Sequence, residues 1–358
     1  MNILILTTHL NPGGISRYVL SLAKGLHTGH NIYLASSGGS WESEFRSYQV
    51  RIKRLPLNTK SILSPKILIS FLSLISFVKQ NKIEVIHANT RVTQMVAFLI
   101  YKTLGISYLS SFHGFYKPHL MRKLIKLQGV RSIAVSRAVK QDLVDNLKFN
   151  PEIIDVVYNG IDRNAFSIKK RRRRQEYGFN RDCLVLGILG RISQEKGHRL
   201  ALDAFLKLTN EYPHLYLLFC GQGKLKPHLE SVVRRYNLSA KVKFLDLDAN
   251  HFLDLLDILI VPSSKEGFGY SAVEGFLKGV PVLGFNTGGL AEIIKDGENG
   301  FLFYRYNSSS LAVKLKEIID NPELREKIMQ QALVSVNDFS YKKMAAETLK
   351  SYRRAIGV

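Results

Sequence analysis

Residues 261–302 read VPSSKEGFGYSAVEGFLKGVPVLGFNTGGLAEIIKDGENGFL, and their pattern sets the fold. A short apolar strand ends at Pro262 and opens into the polar loop Ser263-Ser264-Lys265-Glu266-Gly267-Phe268-Gly269, after which a helix starts at Ser271 and carries Glu274. The arrangement then repeats: an apolar strand from Val280 to Phe285, the turn Asn286-Thr287-Gly288-Gly289, and a helix holding Glu292. Strand, glycine-rich turn and helix in succession describe a parallel sheet, whose ligands bind outside the carboxyl ends of the strands. There glycines let backbone N–H groups come close and a helix start favours negative charge. Two neighbouring strand ends therefore converge on a site for an anionic ligand.

Working outward, the same alternation fills the chain. Strand-like runs at Ile3–Leu6, Ile32–Ala35, Val50–Leu55, Glu84–His87, Tyr108–Phe112, Ser132–Val135 and Ile154–Tyr158 alternate with helix-length segments. A second series follows at Leu184–Leu189, Leu215–Phe219, Val242–Leu245, Ile258–Val261 and Val280–Phe285. This predicts an α/β protein with two doubly wound parallel sheets. At 358 residues the chain exceeds one typical core. It divides into an N-terminal domain over 1–165, a C-terminal domain over 166–340 and a last helix over 341–358.

Composition narrows the partners. Hydrophobic residues make up 46%, ordinary for a globular protein, and the two cysteines, Cys183 and Cys220, each sit in an apolar run, which suggests buried reduced thiols in a cytoplasmic protein. No basic segment precedes the apolar N-terminal residues, and Asn11-Pro12-Gly13-Gly14 is no cleavage site, so Met1–Thr8 reads as a first buried strand. The net charge is +22, and residues 1–141 hold nineteen Lys or Arg against three acids, Glu42, Glu44 and Glu84, an excess of 16. Such a field attracts phospholipid surfaces, phosphorylated substrates or nucleic acid. Nucleic acid is set aside: the densest run, Lys169–Arg174, reads as a solvated linker, lacks interleaved aromatics and belongs to no nucleic-acid module. An anionic membrane surface stays. The apolar helix candidate Ile67–Val78, preceded by Arg51, Lys53, Arg54, Lys60 and Lys66, is too short to span a bilayer and reads equally as a core helix or as an interfacial one. A second apolar and basic segment runs from Phe115 to Lys126.

Four further places carry chemistry. Gly13 and Gly14 occupy the first βα loop, yet G-x-G-x-x-G is absent, which argues against an ordinary dehydrogenase. His113 ends a strand directly before Gly114, which permits close approach of a ligand; a structural histidine is the plainer reading of that position alone. In Gly190-Arg191-Ile192-Ser193-Gln194-Glu195-Lys196-Gly197, Arg191 offers a planar fork and Lys196 a compact point charge beside glycines, which suits a diphosphate; a charged surface loop with Lys196 in water is the plainer alternative. Gly221-Gln222-Gly223 makes a similar turn after the next strand.

Glu266 and Glu274 eight positions apart, the Gly267-Phe268-Gly269 insert, the Gly279-Val280-Pro281-Val282 strand start, the Gly288-Gly289 turn and the G-R-I-S-x-E-K-G string together resemble the retaining glycosyltransferases of family 4. The resemblance covers essentially the whole chain and is strongest over 187–302. It implies the GT-B architecture, two Rossmann-like doubly wound parallel-sheet domains facing across a cleft. The N-terminal domain would bind the acceptor and the C-terminal domain a nucleotide-sugar donor, with the last helix packing back on the first domain and Val157-Tyr158-Asn159-Gly160-Ile161-Asp162 as the connector. It implies His113, Arg191, Lys196 and Glu266 as catalytic residues. Gly13, Gly14, Arg191, Lys196, Gly221, Gly267, Phe268, Gly269 and Glu274 would hold the donor, with Glu274 on the ribose. It further implies metal-independent chemistry and a UDP-sugar ahead of a GDP-sugar. The acceptor would be a saccharide or lipid-linked saccharide, such as a lipopolysaccharide-type envelope precursor, handled at the inner face of the cytoplasmic membrane. One departure is Asp246-Leu247-Asp248, where relatives usually carry a glycine in a loop that handles the nucleobase. The competing functions are a nucleotide-sugar 2-epimerase of the same architecture and a non-catalytic basic adaptor for membrane or nucleic acid.

Overall fold

A run such as Ile3-Leu4-Ile5-Leu6 is apolar throughout because helices cover both faces of the parallel sheet it joins, so that all four side chains are fully buried. The computed structural model describes residues 1–117, 122, 125–166, 174–179 and 182–358. The chain forms two units, Met1–Asp162 with Phe339–Val358, and Arg163–Asp338. Both thiols, Cys183 and Cys220, are buried.

The first unit has seven strands: β1 (Asn2–Leu6), β2 (Asn31–Ser36), β3 (Arg51–Arg54), β4 (Val85–Ala88), β5 (Tyr108–Phe112), β6 (Arg131–Ala134) and β7 (Ile154–Val156), in the order β3-β2-β1-β4-β5-β6-β7. Successive side chains of β1 go to opposite layers. Ile3 and Ile5 join Tyr18 and Leu22 of helix Gly14–Leu26 and Met344 and Tyr352 of helix Tyr341–Ile356. Leu4 and Leu6 join Ile67, Leu74 and Val78 of helix Pro65–Gln80 and Val96 of helix Arg91–Leu104. The last helix thus completes a layer of this unit. Its approach is stitched to the connector: the Ile161 N–H donates to the Phe339 carbonyl at 2.8 Å and the Tyr341 N–H to the Ile161 carbonyl at 3.2 Å.

The second unit has six strands: β8 (Leu184–Leu189), β9 (Leu215–Cys220), β10 (Val242–Leu245), β11 (Ile258–Val261), β12 (Val282–Phe285) and β13 (Phe301–Phe303), in the order β10-β9-β8-β11-β12-β13. Strand β13 is absent from the sequence reading; three residues between a glycine turn and a polar loop give too short an apolar run to signal a strand. β12 starts at Val282 and not at Val280, because the Val280 N–H is held by the Gly275 carbonyl of the preceding helix and Pro281 has no N–H for the ladder. Each sheet reverses its strand order once, between β1 and β4 and between β8 and β11. At such a reversal the outgoing loops diverge and leave a crevice at the carboxyl ends.

Helix Pro65–Gln80 packs one face on the core, as the core-helix reading expects, and leaves apolar side chains on the other. Ser64 caps it and Pro65 takes the first turn; Ile67, Ser70, Leu74 and Val78 face the core. Leu68, Ile69 and Leu72 are 56%, 56% and 57% exposed, with Leu63 just ahead at 77%. The segment around 118–124, Arg122 excepted, and residues 169–173 of the basic run lie outside the described residues. At Arg174 the expectation of a solvated run is corrected. Its guanidinium is buried and donates to both Asp257 oxygens, at 3.0 and 2.7 Å, and to the Cys183 carbonyl at 2.8 Å. Asp257 also accepts the Val185 N–H at 2.8 Å, so the ion pair clamps the entrances of β8 and β11.

A buried polar chain crosses the first unit. His87 Nδ1 shares a hydrogen bond with the Tyr352 hydroxyl at 2.7 Å, and His87 Nε2 shares one with Ser111 Oγ at 2.6 Å, itself 3.3 Å from the Tyr18 hydroxyl. Burial pushes the His87 imidazole from its ordinary 6.5 down to about 3. Between pH 6.5 and 3 the unfolded chain therefore binds a proton at this residue that the folded chain does not, so this contribution to stability is complete above 6.5 and is lost as pH falls. Melting temperatures between pH 7 and 4.5 should decline more steeply for the wild type than for His87→Gln, which does not titrate; equal slopes would show that another group sets the acid sensitivity.

Candidate active site

The reversal between β8 and β11 brings two loops together that are distant in sequence. After β8, Gly190-Arg191-Ile192-Ser193 leads into a single 3-10 turn, Gln194–Lys196, and then helix His198–Leu208. Gly197 has φ +71°, and a Cβ there would lie 2.1 Å from the Pro262 carbonyl oxygen, so only glycine fits where this loop crosses the end of β11. Across that contact the Ser264 N–H donates to the Glu195 carbonyl at 2.9 Å. Lys196 Nζ then reaches Glu266 Oε2 at 2.6 Å, with the lysine side chain 31% and the glutamate 13% exposed.

Neighbouring loops brace this pair. The Glu266 carbonyl accepts the Gly289 N–H at 2.8 Å, which ties the loop after β11 to the turn after β12, and Thr287 Oγ1 donates to the Ser264 carbonyl at 3.3 Å. On the other side, Gly221 (φ +136°) passes so close that a Cβ would meet the Gly190 oxygen at 2.2 Å, and the Ile192 N–H donates to the Gln222 carbonyl at 2.9 Å. Gly269, at φ +113°, opens helix Tyr270–Leu277 without a side-chain cap. Gly267 and Phe268 before it are buried, and Phe268 meets Tyr270 edge-on at 5.2 Å. Glu274, inside that helix, is 2% exposed. Arg191 stands apart: its side chain is 71% exposed and 4.0 Å from Glu195. The structure therefore draws Lys196 and Glu266 together, anchors Gly221 and Gly267–Gly269 at the same loop cluster, and leaves Arg191 extended from it.

Asp246 and Asp248 are engaged locally. Asp246 accepts from Gln222 Nε2 at 3.0 Å, and Asp248 caps helix Ala249–Leu253 by accepting the His251 N–H at 3.1 Å. Among the described residues no group of three His, Cys, Asp or Glu is placed to hold a metal ion.

In the first unit, Gly13 and Gly14 are exposed and start helix Gly14–Leu26, whose first turn has no side-chain cap. Across the β1/β4 reversal sits Asn89, 1% exposed, whose backbone N–H and side-chain amide both donate to the Leu6 carbonyl, at 3.0 and 3.2 Å. Its Oδ1 lies 3.1 Å from Nε2 of His113, which follows β5. Tyr18 meets the His113 ring edge-on at 4.7 Å, the Tyr116 hydroxyl accepts the His113 N–H at 3.3 Å, and burial pushes the His113 imidazole down to about 3. The sequence reading singles out His113 and passes over Asn89 and His87. The available signal is the run Val85-Ile86-His87-Ala88-Asn89, where two polar residues occupy a stretch otherwise apolar enough to be buried.

Residues 12–165 match the family model described as Glycosyltransferase Family 4, and residues 169–334 match the one described as glycosyl transferases group 1, so that only 1–11, 166–168 and 335–358 fall outside the two matches. An uncharacterized glycosyltransferase of Methanocaldococcus jannaschii is 25% identical over 99% of each chain. Among solved structures, Anabaena HepE in complex with UDP and glucose has a TM-score of 0.85 at 22% identity, over 98% of this chain and 100% of that one. WaaG, a glycosyltransferase involved in lipopolysaccharide biosynthesis, has a TM-score of 0.77 at 14% identity, over 99% and 100%. At those identities the structural likeness speaks for the fold, and the family matches speak for the activity. With two Rossmann-like parallel sheets and both halves matched, the chain is a GT-B glycosyltransferase and belongs to glycosyltransferase family 4.

Proposed function

We propose that this protein transfers a hexosyl group, with retention of anomeric configuration, from a UDP-sugar to a hydroxyl of a saccharide or lipid-linked saccharide of the cell envelope. The observation that carries the proposal is the Lys196–Glu266 pair at the β8/β11 reversal, a cation and a carboxylate held 2.6 Å apart where a ligand of a doubly wound sheet binds. As the donor bond breaks, negative charge grows on the diphosphate and the sugar becomes oxocarbenium-like. Lys196, Arg191 and the N–H groups of Gly267–Gly269 take up that charge, so no metal ion is required; Gly221 keeps the loop beside Arg191 close. Glu274 accepts from the ribose hydroxyls, and Glu266, exchanging Lys196 for the ligand, accepts from the hexose. Gly13 and Gly14 open a helix start to an anion, and His113 addresses a hydroxyl of the transferred sugar. The bond from the anomeric carbon to phosphate breaks as that carbon bonds the acceptor oxygen on the same face, and the acceptor proton passes to the leaving phosphate oxygen.

The donor assignment is supported by the match to HepE, whose structure contains UDP and glucose. The envelope assignment is supported by the match to WaaG and by the surface of the first unit. There the exposed Leu63, Leu68, Ile69 and Leu72 follow or flank Lys60 and Lys66 in the chain, within a stretch carrying an excess of 16 cations. Among the described residues no helix is long and apolar enough to cross a membrane, and an apolar helix face flanked by cations suits the interface of an anionic bilayer.

In a thermal-shift panel, UDP and UDP-hexoses should raise the melting temperature above the shift given by GDP and GDP-hexoses; a larger shift with guanine nucleotides would reverse the donor assignment. Lys196→Ala and Arg191→Ala should each lower kcat by roughly a hundredfold or more, the scale of losing a preorganised charge stabiliser. Glu274→Ala should chiefly raise the donor KM, and the wild type should turn over unchanged in EDTA; near-normal kcat in both cation variants would contradict the leaving-group account. Sedimentation with anionic vesicles at low salt should carry the wild type down and leave Leu68→Asp/Leu72→Asp in the supernatant, and equal partition of the two would remove the helix from the membrane contact.

A further inference from the structure

Asn89 lies at the β1/β4 reversal, and its hydrogen bonds leave its amide one orientation. Its amide nitrogen lies 3.2 Å from the Leu6 carbonyl oxygen and 3.4 Å from the His87 carbonyl oxygen. Rotating the amide by half a turn would set Oδ1 against two carbonyl oxygens, so the nitrogen faces the carbonyls and Oδ1 faces His113. An amide oxygen has only lone pairs to offer. At 3.1 Å from it, Nε2 of His113 must therefore carry the hydrogen. Nδ1 is then the bare nitrogen, and among the described residues it makes no hydrogen bond.

We infer that Asn89 is a positioning residue that holds His113 in the Nε2–H tautomer, so that Nδ1 is presented to the ligand purely as an acceptor for a sugar hydroxyl. The inference rests on the proposed role of His113 toward the transferred sugar and adds which of its nitrogens acts and what sets it. The Asn89 backbone N–H also donates to the Leu6 carbonyl, so two donors of the residue hold one carbonyl of β1 while it follows β4 in the chain. A histidine left to itself exchanges its tautomers, and whenever Nδ1 carries the hydrogen it turns a donor toward a sugar hydroxyl that is itself trying to donate. The titratable groups facing His113 are Tyr18 of helix Gly14–Leu26, Tyr116 of the following loop and His87 of β4. Both tyrosines are pushed up and His87 is pushed down to about 3 by burial, so all three are neutral near pH 7 and none competes to fix the imidazole.

The direct test is the tautomer of His113 in the full chain, read at pH 7 from long-range nitrogen–proton correlations in protein carrying labelled imidazole nitrogens. The expected result is Nε2–H with a bare Nδ1, and an Nδ1–H tautomer overturns the inference without any appeal to activity. The second arm is Asn89→Asp, compared with wild type in kcat against pH from 5.5 to 8.5. A carboxylate on the Nε2–H stabilises imidazolium, which has no bare nitrogen, so turnover of this variant should fall about tenfold per pH unit below the raised imidazole pKa and recover toward pH 8.5. The wild type should show no such limb. Asn89→Asp with a profile parallel to wild type overturns the positioning role. Undiminished turnover by His113→Ala overturns instead the role of His113 itself, which separates the two failures. Since the tautomer is read on wild-type protein, the inference stays exposed to refutation even where Asn89→Asp does not fold.

Discussion

Lys196 and Glu266 lie 70 residues apart in the chain and 2.6 Å apart in space, and the reason is a single reversal in strand order between β8 and β11. A parallel sheet built from right-handed crossovers must place its helices on both faces, and where the order changes direction the loops separate at their carboxyl ends. Something has to hold those loops at a fixed distance. In the second unit it is backbone crowding: Gly197 against the Pro262 carbonyl and Gly221 against the Gly190 carbonyl, with Ser264 and Gly289 donating into the same cluster. Any side chain at position 197 would push the two loops apart, and the ion pair would open with them. In the first unit the equivalent seam is closed by a side chain, Asn89, bonded back to Leu6.

Two cation–carboxylate pairs of the second unit, Arg174–Asp257 and Lys196–Glu266, show how geometry separates a fixed contact from a looser one. Arg174 meets Asp257 with two parallel hydrogen bonds, gives a third to a carbonyl, and is almost wholly buried. Removing it would strand a carboxylate in a poorly solvated place, so the pair is fixed. Lys196 makes one point contact to Glu266 from a side chain that water reaches. A lysine ammonium is a compact charge with three rotatable donors, so it can turn from its carboxylate toward another anion, while Glu266 itself is as shielded as Asp257, each 13% exposed. The pair at the seam is thus one that a ligand can take apart, and the pair at the strand entrances is not.

Much of the fold was legible because parallel strands buried on both faces are written as apolar runs. Twelve of the stretches singled out that way hold β1 to β12, most within a residue or two. β13 escaped because Phe301-Leu302-Phe303 is too short to carry a period, and the start of β12 moved because Pro281 withholds a donor. At the site, the sequence marked residue types and could not give proximity. Glu266 was readable beside Glu274, and Lys196 within its own loop, yet their contact is a property of strand order. Arg174 looked like the end of a solvated run because five cations precede it, and its partner Asp257 is 83 residues away. Asn89 left the faintest trace, a polar residue closing a buried strand, because what it does follows from three bonds to atoms of other segments.

The first unit combines a strongly cationic exterior with an interior polar chain that is entirely neutral. An excess of 16 cations over residues 1–141 raises the local potential and disfavours a further proton, an effect that salt screens beyond about 8–10 Å. Burial acts on His87 and His113 without that screening and is the larger influence on both. The outcome is an imidazole whose protonation is decoupled from the pH range and ionic strength a cell imposes. An imidazole that stays neutral near pH 7 keeps its hydrogen-bonding pattern while the surface around it gathers or releases anions. Were His113 exposed, its ordinary pKa would place it halfway to a cation at the acid edge of physiological pH, and its lone pair would come and go with conditions. For the half-buried His113, neutrality follows from desolvation of the ring, which Tyr18 meets edge-on and Asn89 hydrogen-bonds, and it costs the fold stability in acid.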